Sequence, residues 1–467
     1  MKNIGLQKTM RWLESNKDKI TAEWFDFLRF PSIGTDPAHL RDCADCAEWL
    51  AGRLAEIGFA VSFHGADSHP RILFAERKTD ANAPTLLIYG HYDVQPADPA
   101  EAWQSPPFAP EIRDGRVFAR GAQDNKGQIW WTLQAVKAAI ESGADMPNIK
   151  IVLDGQEESG SAELVRLLGE KPCPIKPLRA DVLLVADTGA CSDGRPAITA
   201  GLRGVSSISF RLHGANHDLH SGTHGGVAPN PAAELAKIVA SMFAEDGSVA
   251  VANFMDDVAA PTDAEIALAL AMPFDAERYE ASTGVAPVGG ESGIAPQIRG
   301  ALLPTIEING FRSGYAGEGG KTIIPAFAEV KISCRTVPRQ IPGKVIAAIR
   351  AHFVNRVKNG LRLEEIYAEN GAAALRLGAG SEYAEIARAI LDSADPRGSA
   401  VIYEGASIHV VGLLATAAEA EPLLVGFGQE ADHIHAPDES YSFPQAEQNF
   451  RFAAELICEM GKKHHEP

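Results

Sequence analysis

The sequence predicts an α/β protein: a mostly parallel sheet covered by helices, interrupted by an inserted α+β segment. Three observations carry this. From about residue 60 to 200, apolar runs of strand length alternate with segments of helical periodicity, the mark of parallel strands joined by crossover helices. Near Gly201 the pattern changes to alternating apolar and polar residues, as in half-exposed antiparallel strands. The first pattern returns after Gly380. At 467 residues the chain exceeds what one core usually holds. The expected division is a discontinuous α/β domain, 1–203 and 378–467, with 204–377 inserted.

The elements follow in order. Residues 1 to about 60 read as mainly helical, with Pro31-Ser32-Ile33-Gly34 as a break. Cys43 and Cys46 share one face of an amphipathic stretch, where a packing role is expected. Thr85–Tyr89 has strand length and composition. Lys126–Ser142 places Ile129, Leu133, Val136 and Ile140 at helical spacing. Ile149–Leu153 and Val182–Ala186 are further strands of the buried type. In the inserted segment, Ile208, Phe210 and Leu212 alternate with polar residues, and Pro231 suits the first turn of a helix. Val285–Pro304 is rich in Gly and Pro and is expected to be loop. An alternating strand over Ala326–Val337, a helix over Gly343–Val357 and a strand over Leu361–Tyr367 complete the insertion. A helix over Glu382–Asp392 and a strand at Leu423–Val425 restore the first pattern.

Composition narrows the function classes. A hydrophobic fraction of 45% and a charged fraction of 22% are ordinary for a globular protein. The net charge of -18 disfavours nucleic acid and anionic membranes, so neither is expected as a partner. No apolar run approaches the roughly 18 residues of a membrane span. The opening residues Met1-Lys2-Asn3-Ile4-Gly5-Leu6 lack the features of a signal peptide, so a cytoplasmic location is expected. Six cysteines are too few for a disulfide scaffold in so long a chain.

The apolar strands share a further property. Thr85–Tyr89 runs into Gly90-His91-Tyr92-Asp93, Ile149–Leu153 into Asp154-Gly155-Gln156-Glu157-Glu158, and Val182–Ala186 into Asp187. Leu423–Val425 leads through Gly426 toward His433 and His435. Open α/β sheets gather their sites outside the carboxyl ends of strands, so these endings indicate a metalloenzyme. Extended geometry puts Asp93 on the same side as His91, and an adjacent carboxylate can hold a ligating imidazole by its second nitrogen. Asp124 precedes the Lys126–Ser142 helix, whose N-terminus favours a carboxylate. The consecutive Glu157 and Glu158 cannot both face one point, so one can bind metal while the other stands free as a base. Taken singly, each residue has a plainer reading: a turn cap, a solvated face, a packed histidine. Together they fit a two-ion count, with His91 and Asp187 on one ion, Glu158 and His435 on the other, and Asp124 bridging. Open positions would hold water.

These stretches resemble the dinuclear zinc peptidases of the carboxypeptidase G2, succinyl-diaminopimelate desuccinylase and carnosinase superfamily, the M20 peptidases. The matching segments are Gly90-His91-Tyr92-Asp93-Val94-Gln95-Pro96, Ala119-Arg120-Gly121 with Asp124-Asn125-Lys126-Gly127, Glu157-Glu158-Ser159-Gly160, Asp187-Thr188, and His435 with Pro437 and Glu439. The resemblance implies two divalent ions held as above, Glu157 as general base, and Asp93 steering His91. Zinc is the expected metal, with manganese and cobalt also suited to the donors. Register through Pro437 and Glu439 selects His435 over His433.

Trp103 with Pro106-Pro107-Phe108, Gly214 to Gly222 and Gly319 to Pro325 are similar to the carnosinase-like, cytosolic nonspecific dipeptidase branch. That likeness implies a catalytic domain from 1–203 and 378–467 and a lid and dimerisation domain from 204–377. It implies a homodimer in which His220 reaches from the partner subunit to the scissile carbonyl. It also implies that Arg335 binds the terminal carboxylate, with Thr322 and Ser407 adding hydrogen bonds. Asn125 stands where an Asp is frequent, and Gln123 where a small hydroxyl residue is frequent. Ala406 in Glu404-Gly405-Ala406-Ser407 replaces a Gly and bears on the substrate space.

The expected function is a metal-dependent dipeptidase acting on dipeptides or similar small amides with a free C-terminal carboxylate. The nearest alternative is an N-acyl amino acid deacylase of the same superfamily, with N-acyl amino acids as substrates. A non-catalytic binding protein is the alternative from another class. Loss of a ligand or of the base would mark it, yet His91, Asp124, Glu157, Glu158, Asp187 and His435 are all present.

Overall fold

The computed structural model describes residues 4–377 and 381–462. It has two compact units. The first takes in the chain up to Ala200, Leu377–Ile402, and Val410 onward; the second takes in Gly201–Arg376 and Tyr403–His409. The loop Tyr403–His409 thus packs with the second unit although it lies well beyond the inserted segment. Residues 378–380, where the expected second part of the α/β domain begins, lie outside the described residues.

The first unit is built on a mixed sheet. Across it run Ala60–His64, Ile72–Arg77, Asn148–Asp154, Thr85–His91, Val182–Gly189, Glu421–Gly428 and Ala197–Leu202. The four strands from Asn148–Asp154 to Glu421–Gly428 are mutually parallel, while the flanking pairs are antiparallel. Asn148–Asp154 is buried along its whole length, as in a strand covered on both faces, and this burial includes Lys150 and Asp154. Helices Ile4–Leu28, Lys126–Ser142 and Phe443–Lys462 pack on one another. Trp24 meets Trp131 and Tyr441 edge-on at 5.9 and 6.2 Å.

Local chemistry sets the helix ends. The buried Lys126 ammonium donates to the carbonyls of Phe27 and Phe30 at 3.1 and 2.8 Å, partnering carbonyls left open where the first helix stops. Gly143 ends Lys126–Ser142 in the left-handed conformation, φ 63°. Cys43 and Cys46 are buried in helix Leu40–Glu56. Burial pushes both thiols up, Cys43 to about 12, so they are packing groups rather than nucleophiles.

The second unit is an antiparallel sheet in the order Thr305–Ser313, Phe327–Thr336, Gly204–His213, Arg362–Ala372. Alternation along Phe327–Thr336 buries Val330, Ile332 and Cys334 and leaves Glu329, Lys331 and Arg335 on the other face. The buried face packs on helices Pro231–Ala240 and Pro342–Val354, with Phe210 stacked on Phe353 at 4.4 Å. The stretch Val285–Pro304, expected to be loop, contains a short helix at Pro296–Ala301. Pro296 presets the backbone angle of its first turn. The expected strand Leu361–Tyr367 extends to Ala372. No described helix is long and apolar enough to cross a membrane.

Candidate metal centre

The carboxyl ends of the parallel strands converge. His91 closes Thr85–His91, Glu157 and Glu158 follow Asn148–Asp154, Asp187 lies near the end of Val182–Gly189, and His435 follows Glu421–Gly428. Asp124 immediately precedes the Lys126–Ser142 helix. Two groups of potential ligands result: His91, Asp124 and Asp187, and Asp124, Glu158 and His435. Within each, the ligand atoms lie within 4.8 Å of one another.

The spacings are compatible with donors sharing an ion. Donor atoms 2.0–2.1 Å from a tetrahedral ion are separated by about 3.3 Å. His91 Nε2 lies 3.1 Å from Asp124 Oδ1 and 3.7 Å from Asp187 Oδ2. His435 Nε2 lies 2.9 Å from Asp124 Oδ2 and 3.3 Å from Glu158 Oε2. Each histidine therefore faces a different oxygen of Asp124, as a bridging carboxylate requires. Glu157 belongs to neither group, yet its Oε2 stands 4.0 Å from His91 Nε2. His433 also belongs to neither.

Surrounding bonds fix these groups. His91 Nδ1 meets the Asp93 carbonyl at 3.0 Å and the Asp93 carboxylate at 3.3 Å. The two oxygens of Asp93 accept the backbone N–H of Glu157 and of Glu158, each at 3.1 Å. One buried carboxylate thereby ties a histidine to the turn bearing both glutamates. Asn125 donates to Asp187 Oδ1 at 2.7 Å and to the Ala186 carbonyl at 2.8 Å, while its Oδ1 accepts the His91 N–H at 3.3 Å. An amide here both donates to Asp187 and accepts from His91. Gln95 donates to Glu158 Oε2 at 2.8 Å.

The electrostatics fit divalent cations. Burial pushes the Asp187 carboxyl up to about 8, with His91 opposing and Asp124 and Glu158 adding to the rise. Burial likewise holds Glu157 and Glu158 above the usual carboxylate range. Hydrogen bonds to Asp124 and Glu158 raise His435 to about 10. Carboxylates pressed together out of water need positive charge among them. Mixed imidazole and carboxylate donors suit zinc, manganese or cobalt. His435 sits at φ 60° and His433 at φ 54°, in the left-handed backbone region that non-glycine residues seldom enter.

Glu439 carries a role that the sequence reading did not assign. Its buried carboxylate accepts N–H groups from Gly121 at 2.9 Å and from Gln123 and Asp124 at 3.0 Å, and pairs with buried Arg120 at 2.8 Å. The sequence marks Glu439 only as part of the His435-to-Glu439 segment; its partners lie more than three hundred residues earlier.

In the second unit, His220 and Thr322 are brought together by a two-residue ladder, Leu219–His220 against Ile323–Ile324. The Ser221 N–H donates to the Thr322 carbonyl at 3.0 Å. Arg335 Nη1 donates to Ser407 Oγ at 3.0 Å.

An α/β sheet whose strand ends carry two histidine–carboxylate groups around a shared aspartate defines a metal-dependent peptidase. The chain belongs to Peptidase family M20/M25/M40, whose sequence profile matches residues 87–460. It is 29% identical over 386 residues to a Cys-Gly metallodipeptidase of Schizosaccharomyces pombe, covering 79% of each chain. It is 28% identical over 361 residues to the Beta-Ala-His dipeptidase of Homo sapiens, covering 74% of this chain and 71% of that one. An M20 family metallo-carboxypeptidase from Sulfolobus solfataricus superposes with a TM-score of 0.83 at 27% identity, over 95% of this chain and 99% of the other.

Proposed function

We propose that this chain is a metal-dependent dipeptidase that cleaves the amide bond of small peptides with a free C-terminal carboxylate. The observation that carries this reading is the pair of ligand groups sharing Asp124, with Glu157 beside them and outside both. The dipeptides named for its relatives, Cys-Gly and β-Ala-His, support the substrate class.

His91, Asp124 and Asp187 would hold one ion, and Asp124, Glu158 and His435 the other, with zinc the first choice. Bound there, the ions supply an acidified water and a Lewis-acid pull on the amide carbonyl. Glu157 takes a proton from the attacking water and delivers it to the leaving amine. Asp93 orients His91 and, through the two backbone N–H groups, keeps the base and the ligand Glu158 in fixed relation. From the second unit, the lid and dimerisation domain of this reading, Arg335 is assigned the substrate carboxylate, which its planar fork can hold at two points. Ser407 and Thr322 add hydrogen bonds. His220 donates to the developing oxyanion, and a cytoplasmic homodimer supplies it from the partner subunit.

A panel of unblocked dipeptides against N-acyl amino acids tests the reading. Turnover of the dipeptides is expected. Turnover of acylated amino acids alone would replace it with a deacylase.

A further inference from the structure

Arg203 and Arg335 lie at the same end of neighbouring antiparallel strands, where Gly204 faces Thr336 and Val205 faces Arg335. Arg203 immediately precedes its strand, and it grips the loop Tyr403–His409 at several points. Its N–H donates to the Glu404 carbonyl at 3.3 Å, its Nε to the Gly405 carbonyl at 3.2 Å, and its Nη1 to the Leu303 carbonyl at 3.2 Å. Its own carbonyl accepts the Ser407 hydroxyl. That hydroxyl has one proton, so once it is given to Arg203 the oxygen's lone pairs are left for Arg335 Nη1 at 3.0 Å.

Two further facts sharpen the arrangement. A Cβ on Gly405 would stand 2.7 Å from Arg203 Nη2 and 2.5 Å from the Gly300 carbonyl, so the loop closes directly onto the guanidinium. Among the described residues, neither guanidinium has a carboxylate within 4.0 Å. Burial, and then the charge of Arg335, lowers Arg203 to about 10. The charge of Glu307 opposes the fall in both arginines. Two partly buried cations sharing one carboxylate, which pairs directly with neither, leave positive potential for an anion to neutralise.

We infer that Arg203 is a positioning residue for the substrate's C-terminal carboxylate: it fixes Ser407 and the Gly405 turn so that Arg335 presents its fork in one orientation. The inference rests on the reading of Arg335 as the carboxylate anchor. It adds a residue more than a hundred positions away from Arg335 in the chain, acting through a loop further along still.

The test compares kcat/KM for a free dipeptide with kcat/KM for the same dipeptide as its C-terminal amide, in the metal-loaded enzyme. Arg203→Met and Gly405→Ala are each expected to lower the acid-to-amide ratio by about tenfold, mainly through KM for the free acid, as lost orientation of one charged contact would. Turnover of the amide is expected to stay near that of the unaltered enzyme. Thermal melting checks the fold. Should Arg203→Met fail to fold, Gly405→Ala decides, because it keeps the arginine and its charge while displacing the guanidinium, together with the Gly300 carbonyl that the added Cβ also meets. Equal losses on acid and amide would overturn the inference by making Arg203 merely structural. An unchanged ratio in both variants, with the ratio lost in Arg335→Met, would overturn it and leave Arg335 as the anchor. A ratio retained in Arg335→Met would overturn the anchor itself and the inference with it.

Discussion

Glu439 accepts the backbone N–H of Asp124 at 3.0 Å, and this bond holds in place the carboxylate shared by both ligand groups. The same side chain gathers the N–H groups of Gly121 and Gln123 and pairs with Arg120. Burial pushes the Glu439 carboxyl up, while Arg120 and the backbone donors oppose the rise. The loop before the Lys126–Ser142 helix is therefore shaped around one anion.

Glu439→Gln keeps the size but puts an N–H₂ against backbone donors and leaves the Arg120 charge unpaired. Breaking a buried pair in this way costs about 3–5 kcal/mol, and disturbing a group that orients a ligand lowers metal affinity about 10–100-fold. Urea unfolding and a competition titration with a metal chelator measure the two. Affinity and stability like those of the unaltered chain would detach Glu439 from the centre.

Glu157→Ala separates ligation from proton transfer. Glu157 lies outside both ligand groups, so two ions per chain are expected to remain, read by elemental analysis. Turnover is expected to fall by about 100-fold or more, the usual scale of a lost general base. Glu158→Ala is expected to lose an ion instead. Undiminished turnover in Glu157→Ala would move the base elsewhere.

Asp154 allows a pH test at a residue outside both ligand groups, although it pairs with His91 across neighbouring strands. It is fully buried, and burial, with Asp93 adding to it, raises its carboxyl to about 6. A free aspartate titrates near about 3.9. The folded value is the higher one, so the protonated group's stabilisation is complete below about pH 4 and is lost as pH rises through about 6. The buried charge then costs on the order of 3 kcal/mol at pH 8, taking the difference between the two values at about 1.4 kcal/mol per unit. Asp154→Asn keeps the acceptor that binds the Gln156 N–H at 2.9 Å. In chelator-treated protein the variant's advantage in urea unfolding should be small at about pH 4 and below, and grow to its full size by about pH 8. A gap that does not change with pH would contradict the assignment.

What could be read from the sequence divides along a physical line. Strand ends are local: an apolar run followed by His91 or Asp187 states both the element and the place of its last side chain. The alternation of Val330, Ile332 and Cys334 likewise marks which face Arg335 occupies. Arg203, Glu439 and Asn125 act by hydrogen bonds to segments distant in the chain, and no spacing encodes such a partner. The stretch Tyr403–His409 continues strand Ala400–Glu404, which begins in the first unit, so only contacts reveal that it packs with the second. Pro296–Ala301 is too short to show helical periodicity, and its Gly- and Pro-rich surroundings read as loop.

His220 tests whether the site is shared between subunits. Its Nδ1 accepts the Gly222 N–H at 3.0 Å, so in the neutral ring Nε2 carries the proton and is the donor available to an oxyanion. A Cβ on Gly222 would meet the ring at 2.8 Å, so this seat for the imidazole exists only with glycine there. If His220 serves the partner's Glu157, a His220→Ala chain still offers an intact Glu157, and a Glu157→Ala chain still offers an intact His220. Each variant alone should be nearly inactive. Mixed and re-paired in equal amounts, they should recover about a quarter of full activity, because half of randomly formed dimers are mixed and each mixed dimer has one intact site of two. Size-exclusion chromatography with differently tagged chains confirms that pairs have exchanged. Exchange without recovered activity would place His220 in its own chain's site or outside the reaction.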